Sequence, residues 1–127
     1  MVTTEAAQLS IATKPDALLH VHVEVHPEGS AVVECTGEHD LTTKTEVAAL
    51  LKRLLAHNEL VVVDISEATF IDASFIVNLF IANRLAGEQG KRFRVQHSTS
   101  PIVQRILESS GVLARLDCAT TRQEALR

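Results

Sequence analysis

The run Leu60-Val61-Val62-Val63-Asp64-Ile65 and the segment after it limit the fold more than any other part of the chain. An unbroken stretch of β-branched residues suits a strand in the middle of a sheet, covered on at least one face. After a short polar-then-apolar bridge, Ile71-Asp72-Ala73-Ser74 opens a segment of different period. From Phe75 apolar residues fall at 75, 76, 79, 80, 82, 85 and 86, and no Pro or Gly intervenes before Gly87. That spacing predicts a helix to about Ala86, stopped by Gly87 and Gly90. A central strand feeding a helix places the chain among α/β folds.

Asp72 is expected to cap this helix, its carboxylate accepting the free N–H of Ser74 or Phe75. At about 100° per residue, Phe75, Ile76, Leu79, Phe80, Ala82 and Ala86 share the core side. The opposite face then carries Ser74, Val77, Asn78, Ile81, Arg84 and Leu85. Leaving Val, Ile and Leu unburied forgoes roughly 1.5–3 kcal/mol each. This face therefore reads as a docking surface with a serine at its edge.

The 127 residues suffice for one domain with one core and no stapling. Cys35 and Cys118, far apart and without CxxC spacing, fit thiols of a reducing compartment rather than a disulfide framework. Residues 1–16 read as a flexible leader before a domain over 17–127. They lack a basic start followed by an apolar run, and no segment nears the ~20 apolar residues of a membrane span. The expectation is a cytoplasmic protein with no membrane partner. The net charge of −4, scattered basic residues and absence of Trp and Tyr argue against direct nucleic-acid binding.

In chain order, Leu18 to His26 alternates Val21, Val23 and Val25 with His20, His22, Glu24 and His26, a strand with one wet face. Pro27-Glu28-Gly29-Ser30 is a turn, and Ala31 to Thr36 completes a hairpin. Leu41 to Asn58 is an amphipathic helix with Thr43-Lys44-Thr45-Glu46 as its capping box. Arg92 to Gln96 is a strand, and Ser100-Pro101 starts a helix running to Ser110, where Gly111 suits the left-handed stop. Leu113 to Cys118 reads as a last strand, and Thr121-Arg122-Gln123-Glu124 as the cap of a final helical turn. The order is β-β-α-β-α-β-α-β-α: a mixed sheet with helices mainly on one face.

His-x-His on a strand points both rings the same way, as a metal site needs. An alternating strand with one wet face gives the same pattern without chemistry, so His20, His22 and His26 are expected to hold no metal, and no cofactor is expected. Asp64, ending a central strand, invites comparison with the phospho-accepting aspartate of a receiver domain. A receiver needs an acidic pair for Mg²⁺ after its first strand, where His26-Pro27-Glu28-Gly29 offers one carboxylate. No nucleophile elbow, P-loop, GxGxxG or HExxH occurs, so no catalysis is expected.

The element order, Gly37-Glu38-His39-Asp40, the strand Val61-Val62-Val63-Asp64 and Phe70-Ile71-Asp72-Ala73-Ser74 together resemble the STAS domain of bacterial anti-sigma-factor antagonists. The Pro101 to Gly111 stretch, with Arg105 in the family's basic position, is similar too. The resemblance runs from about Leu18 to Leu126 and implies a single STAS-like α/β domain. It also implies that Ser74, third in the family's Asp-Ser-Ser-Gly turn, is the phosphorylated serine. By the same resemblance, Glu38 and Asp40 of the G-E-apolar-D turn join Asp72, Ser74, Val77, Asn78 and Ile81 in binding a partner. That partner would be an anti-sigma-factor serine kinase, with other STAS proteins as a second class. The chain departs from the pattern at His39, where an aliphatic is usual, at Ala73, where serine is usual, and at Phe75, where glycine is usual. Serine is favoured at a helix start for hydrogen bonding alone, so the motif is what makes Ser74 a phosphoacceptor. A non-switching scaffold that assembles with other STAS proteins is the alternative these residues leave open.

Overall fold

The computed structural model describes residues 19–97 and 100–127; the expected leader lies outside them. Strands β1 (Val21–His26) and β2 (Ser30–Cys35) form the antiparallel hairpin read from the alternation. Strands β4 (Leu60–Asp64), β6 (Arg92–Gln96) and β7 (Asp117–Ala119) add to it in parallel, giving the order β1-β2-β4-β6-β7. The β-branched run is the central strand, and every residue of it is buried.

Helices α1 (Lys44–His57), α2 (Ala73–Glu88), α3 (Pro101–Ser109) and α4 (Val112–Arg115) pack on one face. There Leu51, Leu55, Ile71, Leu79 and Leu107 meet Val33, Val61, Val63 and Val95 of the sheet. The single-turn helix α5 (Arg122–Ala125) crosses to the other face, where Ala125 and Leu126 close a small cluster with Val32, Leu60 and Val62. The two thiols are free. Burial pushes the Cys35 thiol up to about 12 and the Cys118 thiol up to about 11, so neither is a thiolate near neutrality.

Five local readings are corrected. Gly37-Glu38-His39 is not a turn but strand β3 (Gly37–His39), and the bridge after β4 is strand β5 (Ala68–Ile71). The two pair in parallel as a separate small sheet. Gly37, at φ +70°, lets the chain leave one sheet for the other. The helix expected from Leu41 begins as a 3₁₀ turn over Leu41–Thr43, capped by Asp40, and becomes α1 at Lys44. Thr43 makes no side-chain cap bond; its hydroxyl donates instead to the Asp40 carbonyl at 3.3 Å. Residues 113–118 are not one strand, because the chain spends its first residues in α4 before β7.

Gly111 adopts the left-handed stop at φ +88°. Thr121 caps α5, its hydroxyl accepting from the Glu124 N–H at 3.1 Å while Glu124 reaches back to the Thr120 N–H at 3.0 Å.

Candidate functional site

The small β3–β5 sheet builds the site. Its register sets Glu38 opposite Phe70 and His39 opposite Ile71, and the Asp72 N–H donates to the His39 carbonyl at 3.1 Å. This link continues the ladder for one residue and fixes Asp72 in extended backbone at the start of α2. Asp72 Oδ1 accepts the Phe75 N–H at 3.1 Å, a cap of about 1 kcal/mol, and the Ser74 hydroxyl at 2.6 Å. Ser74 is half-buried in the first turn, its Oγ held by the carboxylate that starts the helix.

On the β3 side, Glu38 is exposed and Asp40 turns back on its own loop, accepting from the Thr42 N–H at 2.9 Å and from the Thr42 hydroxyl. These bonds hold the Asp40 carboxyl below its ordinary range. Beyond Ser74, Val77 is 42% and Ile81 54% exposed, as the wheel requires of a docking face.

Asn78 is a correction. It is only 3% exposed, and its Nδ2 donates to the Lys44 carbonyl at 3.0 Å. The packed arc of α2 is rotated toward Asn78 because α1 covers that flank, while Phe80 is left half-buried. Asn78 ties two helices together rather than standing on the exposed face. Sequence reasoning also missed Leu41 and Phe70, both exposed and both next to the site's acidic residues in sequence or register. Leu41 follows a capping aspartate, the one available signal; Phe70 lies on a strand too short to show a period.

A second polar constellation lies on the α5 face, where the register aligns His22, Glu34, Asp64 and Gln96 across four strands. Arg122 enters this row from α5. Its guanidinium donates to Glu34 Oε2 at 2.6 Å, Asp64 Oδ2 at 2.7 Å, Gln96 Oε1 at 2.9 Å and Glu24 Oε1 at 3.2 Å. Burial works against this charge, but the bonds it donates to Glu34 and Asp64 outweigh that and raise the Arg122 pKa. His22, Glu24 and Glu34 bring ligand atoms within 4.8 Å of one another, yet both carboxylates already hold Arg122.

The family model described as Mlab, STAS domain matches residues 22–116, and the chain belongs to the STAS family. Its fold is that of anti-sigma-factor antagonists. It is similar to one from Mycobacterium paratuberculosis, with TM-score 0.73 and 23% identity over 84% of this chain and 89% of that one. Unphosphorylated SpoIIAA gives TM-score 0.72 at 18% identity over 84% and 92% of the two chains. The Bacillus cell-fate determinant SpoIIAA in its phosphorylated form gives 0.66 at 18% over 84% and 96%. At these identities the likeness is one of fold. No match was found among curated proteins. No helix among the described residues is long and apolar enough to cross a membrane.

Proposed function

We propose that this protein is an anti-sigma-factor antagonist that binds an anti-sigma-factor serine kinase when unphosphorylated and is released by phosphorylation of Ser74. The observation that carries the reading is the placement of a half-buried serine hydroxyl, oriented by Asp72, beside the exposed apolar side chains Val77 and Ile81. That a structural relative exists in unphosphorylated and phosphorylated forms supports it. In this reading the protein binds rather than catalyses. Val77 and Ile81 supply the apolar contact, Glu38 and Asp40 flank it, and the kinase brings the nucleotide.

Phosphate adds about −1.5 to −2 charges at neutral pH. At the N-terminus of α2 the free N–H groups and the dipole tolerate it, so the fold survives modification. A partner packed on Val77 and Ile81 would have to desolvate the new charge beside the Asp72 carboxylate, at several kcal/mol. Even ~3 kcal/mol weakens affinity about a hundredfold. Titrating a candidate kinase with Ser74→Ala, Ser74→Glu and the parent is the test. Tight binding by Ser74→Ala with weak binding by Ser74→Glu supports the switch, whereas equal binding by all three favours a non-switching STAS scaffold.

A further inference from the structure

We propose that β1 is a self-pairing edge, through which two copies of the chain join antiparallel about a twofold axis at Val23 and extend their sheets into one. The sheet ends on β1, and among the described residues no strand pairs with its outer side. The opposite edge, β7, is three residues long, too short to template much pairing. Six residues of β1 pair with β2 without a bulge, and between Val21 and His26 there is neither proline nor lysine. Bulges, prolines and lysines are among the devices with which soluble proteins blunt a long open edge.

The side chains choose the partner and the register. Val21, Val23 and Val25 point to the helix face; Val23 is buried, while Val21 and Val25 are half-buried at the rim of the core. His22, Glu24 and His26 point to the other face. Residues opposite one another in an antiparallel pair lie on the same face. An axis at Val23 sets Val21 against Val25 of the second copy and Val23 against its twin, so a valine stripe runs unbroken across the junction. The same axis sets His22 against Glu24 twice, once from each copy.

Neighbouring registers are worse. An axis at Glu24 puts the two Glu24 carboxylates together, and like charges directly opposite are destabilising. An axis at His22 opposes the two His22 rings. A one-residue slip puts valines against polar side chains on the wrong face. In the Val23 register, His22 stands between Glu34 of its own β2 and Glu24 of the second copy. The second copy of this chain is thus the occupant that the charge pattern fits. No residue of this edge belongs to the site from Asp72 to Ile81, so the inference stands or falls independently of the phosphorylation reading.

Sedimentation equilibrium of the full chain from about 10 to 500 µM, with a chelator present to remove metal-bridged association, measures the pairing. His22 is exposed, so its variants test the contact without disturbing the core. The expected result is a monomer–dimer equilibrium that His22→Glu weakens and His22→Lys tightens, each by about fivefold or more over the two symmetric pairs. Amide exchange should slow in β1 as concentration rises. A monomer at every concentration, or a dimer indifferent to both substitutions, overturns the proposal. So does a monomer whose β1 amides are protected at all concentrations, which assigns the edge to another segment of the chain.

Discussion

His39 and Phe75 stand with ring centroids 5.4 Å apart and planes tilted by 49°. These are two of the chain's departures from the STAS pattern, and they occupy one volume beneath the start of α2. An imidazole replaces an aliphatic where a phenyl ring replaces glycine, so each bulky residue supplies the other's packing partner. The pair supports Asp72 from below, since the His39 carbonyl accepts the Asp72 N–H and Asp72 caps the Phe75 N–H.

This arrangement makes stability sensitive to acid. His39 is 2% exposed; its Nε2 lies 2.9 Å from the Thr36 carbonyl, and Nδ1 is buried without a hydrogen-bond partner among the described residues. Burial lowers its pKa in the folded protein. The unfolded chain, at about 6.5, therefore binds the proton more readily, and stability falls as pH drops from about 6.5 toward the lowered folded value. Melting temperature should fall as pH drops from 7.5 to 5.5, and His39→Leu should remove part of that fall. An identical acid loss in parent and variant would show that another group is responsible.

Val77→Asp and Ile81→Asp should abolish binding of the kinase while leaving the melting temperature within about 2 °C, because both side chains are exposed on α2. Asn78→Ala should do the reverse, losing about 1–2 kcal/mol of stability with the bond to Lys44. Denaturant unfolding and a binding titration on the same three variants separate the roles. Unfolding of the Val77 and Ile81 variants would place those residues in the core.

Arg122→Ala should cost about 2–3 kcal/mol, less than a fully buried pair because the guanidinium is partly exposed. Asp64, 6% exposed, would keep only its bonds from Ser66. Adding Asp64→Asn should recover part of the loss, since it removes the charge left unpaired. A double variant less stable than Arg122→Ala alone would mean that Asp64 is held by something other than Arg122.

With Arg122 on Glu24 and Glu34, the protein should retain no stoichiometric zinc after desalting. Zinc that stays bound and disappears with His22→Ala would contradict this.

The sequence made the central strand, the Asp72 cap and the Gly111 stop legible because each rests on contacts within a few residues. The β3–β5 sheet was not legible: strands of three and four residues show no period, and their pairing spans the whole of α1. The burial of Asn78 escaped for a related reason, since a helical wheel orders residues around an axis but does not say which flank a neighbouring helix covers. Arg122 was assigned only a helix cap, because its carboxylates come from three strands whose alignment depends on register. Within the site, Asp72 and Ser74 were readable from local chemistry, whereas the exposure of Leu41 and Phe70 emerged only from the tertiary arrangement.

The central claim is that Ser74 accepts phosphate and that this modification governs binding. Phosphopeptide mapping after incubation with the candidate kinase and ATP, paired with a binding titration of the product, tests it most directly. The account predicts one phosphate, on Ser74, an unchanged fold and affinity reduced about a hundredfold. Phosphate on Ser66, Thr69 or Ser98 with none on Ser74, or a Ser74 phosphoform that binds as tightly as the parent, would contradict it.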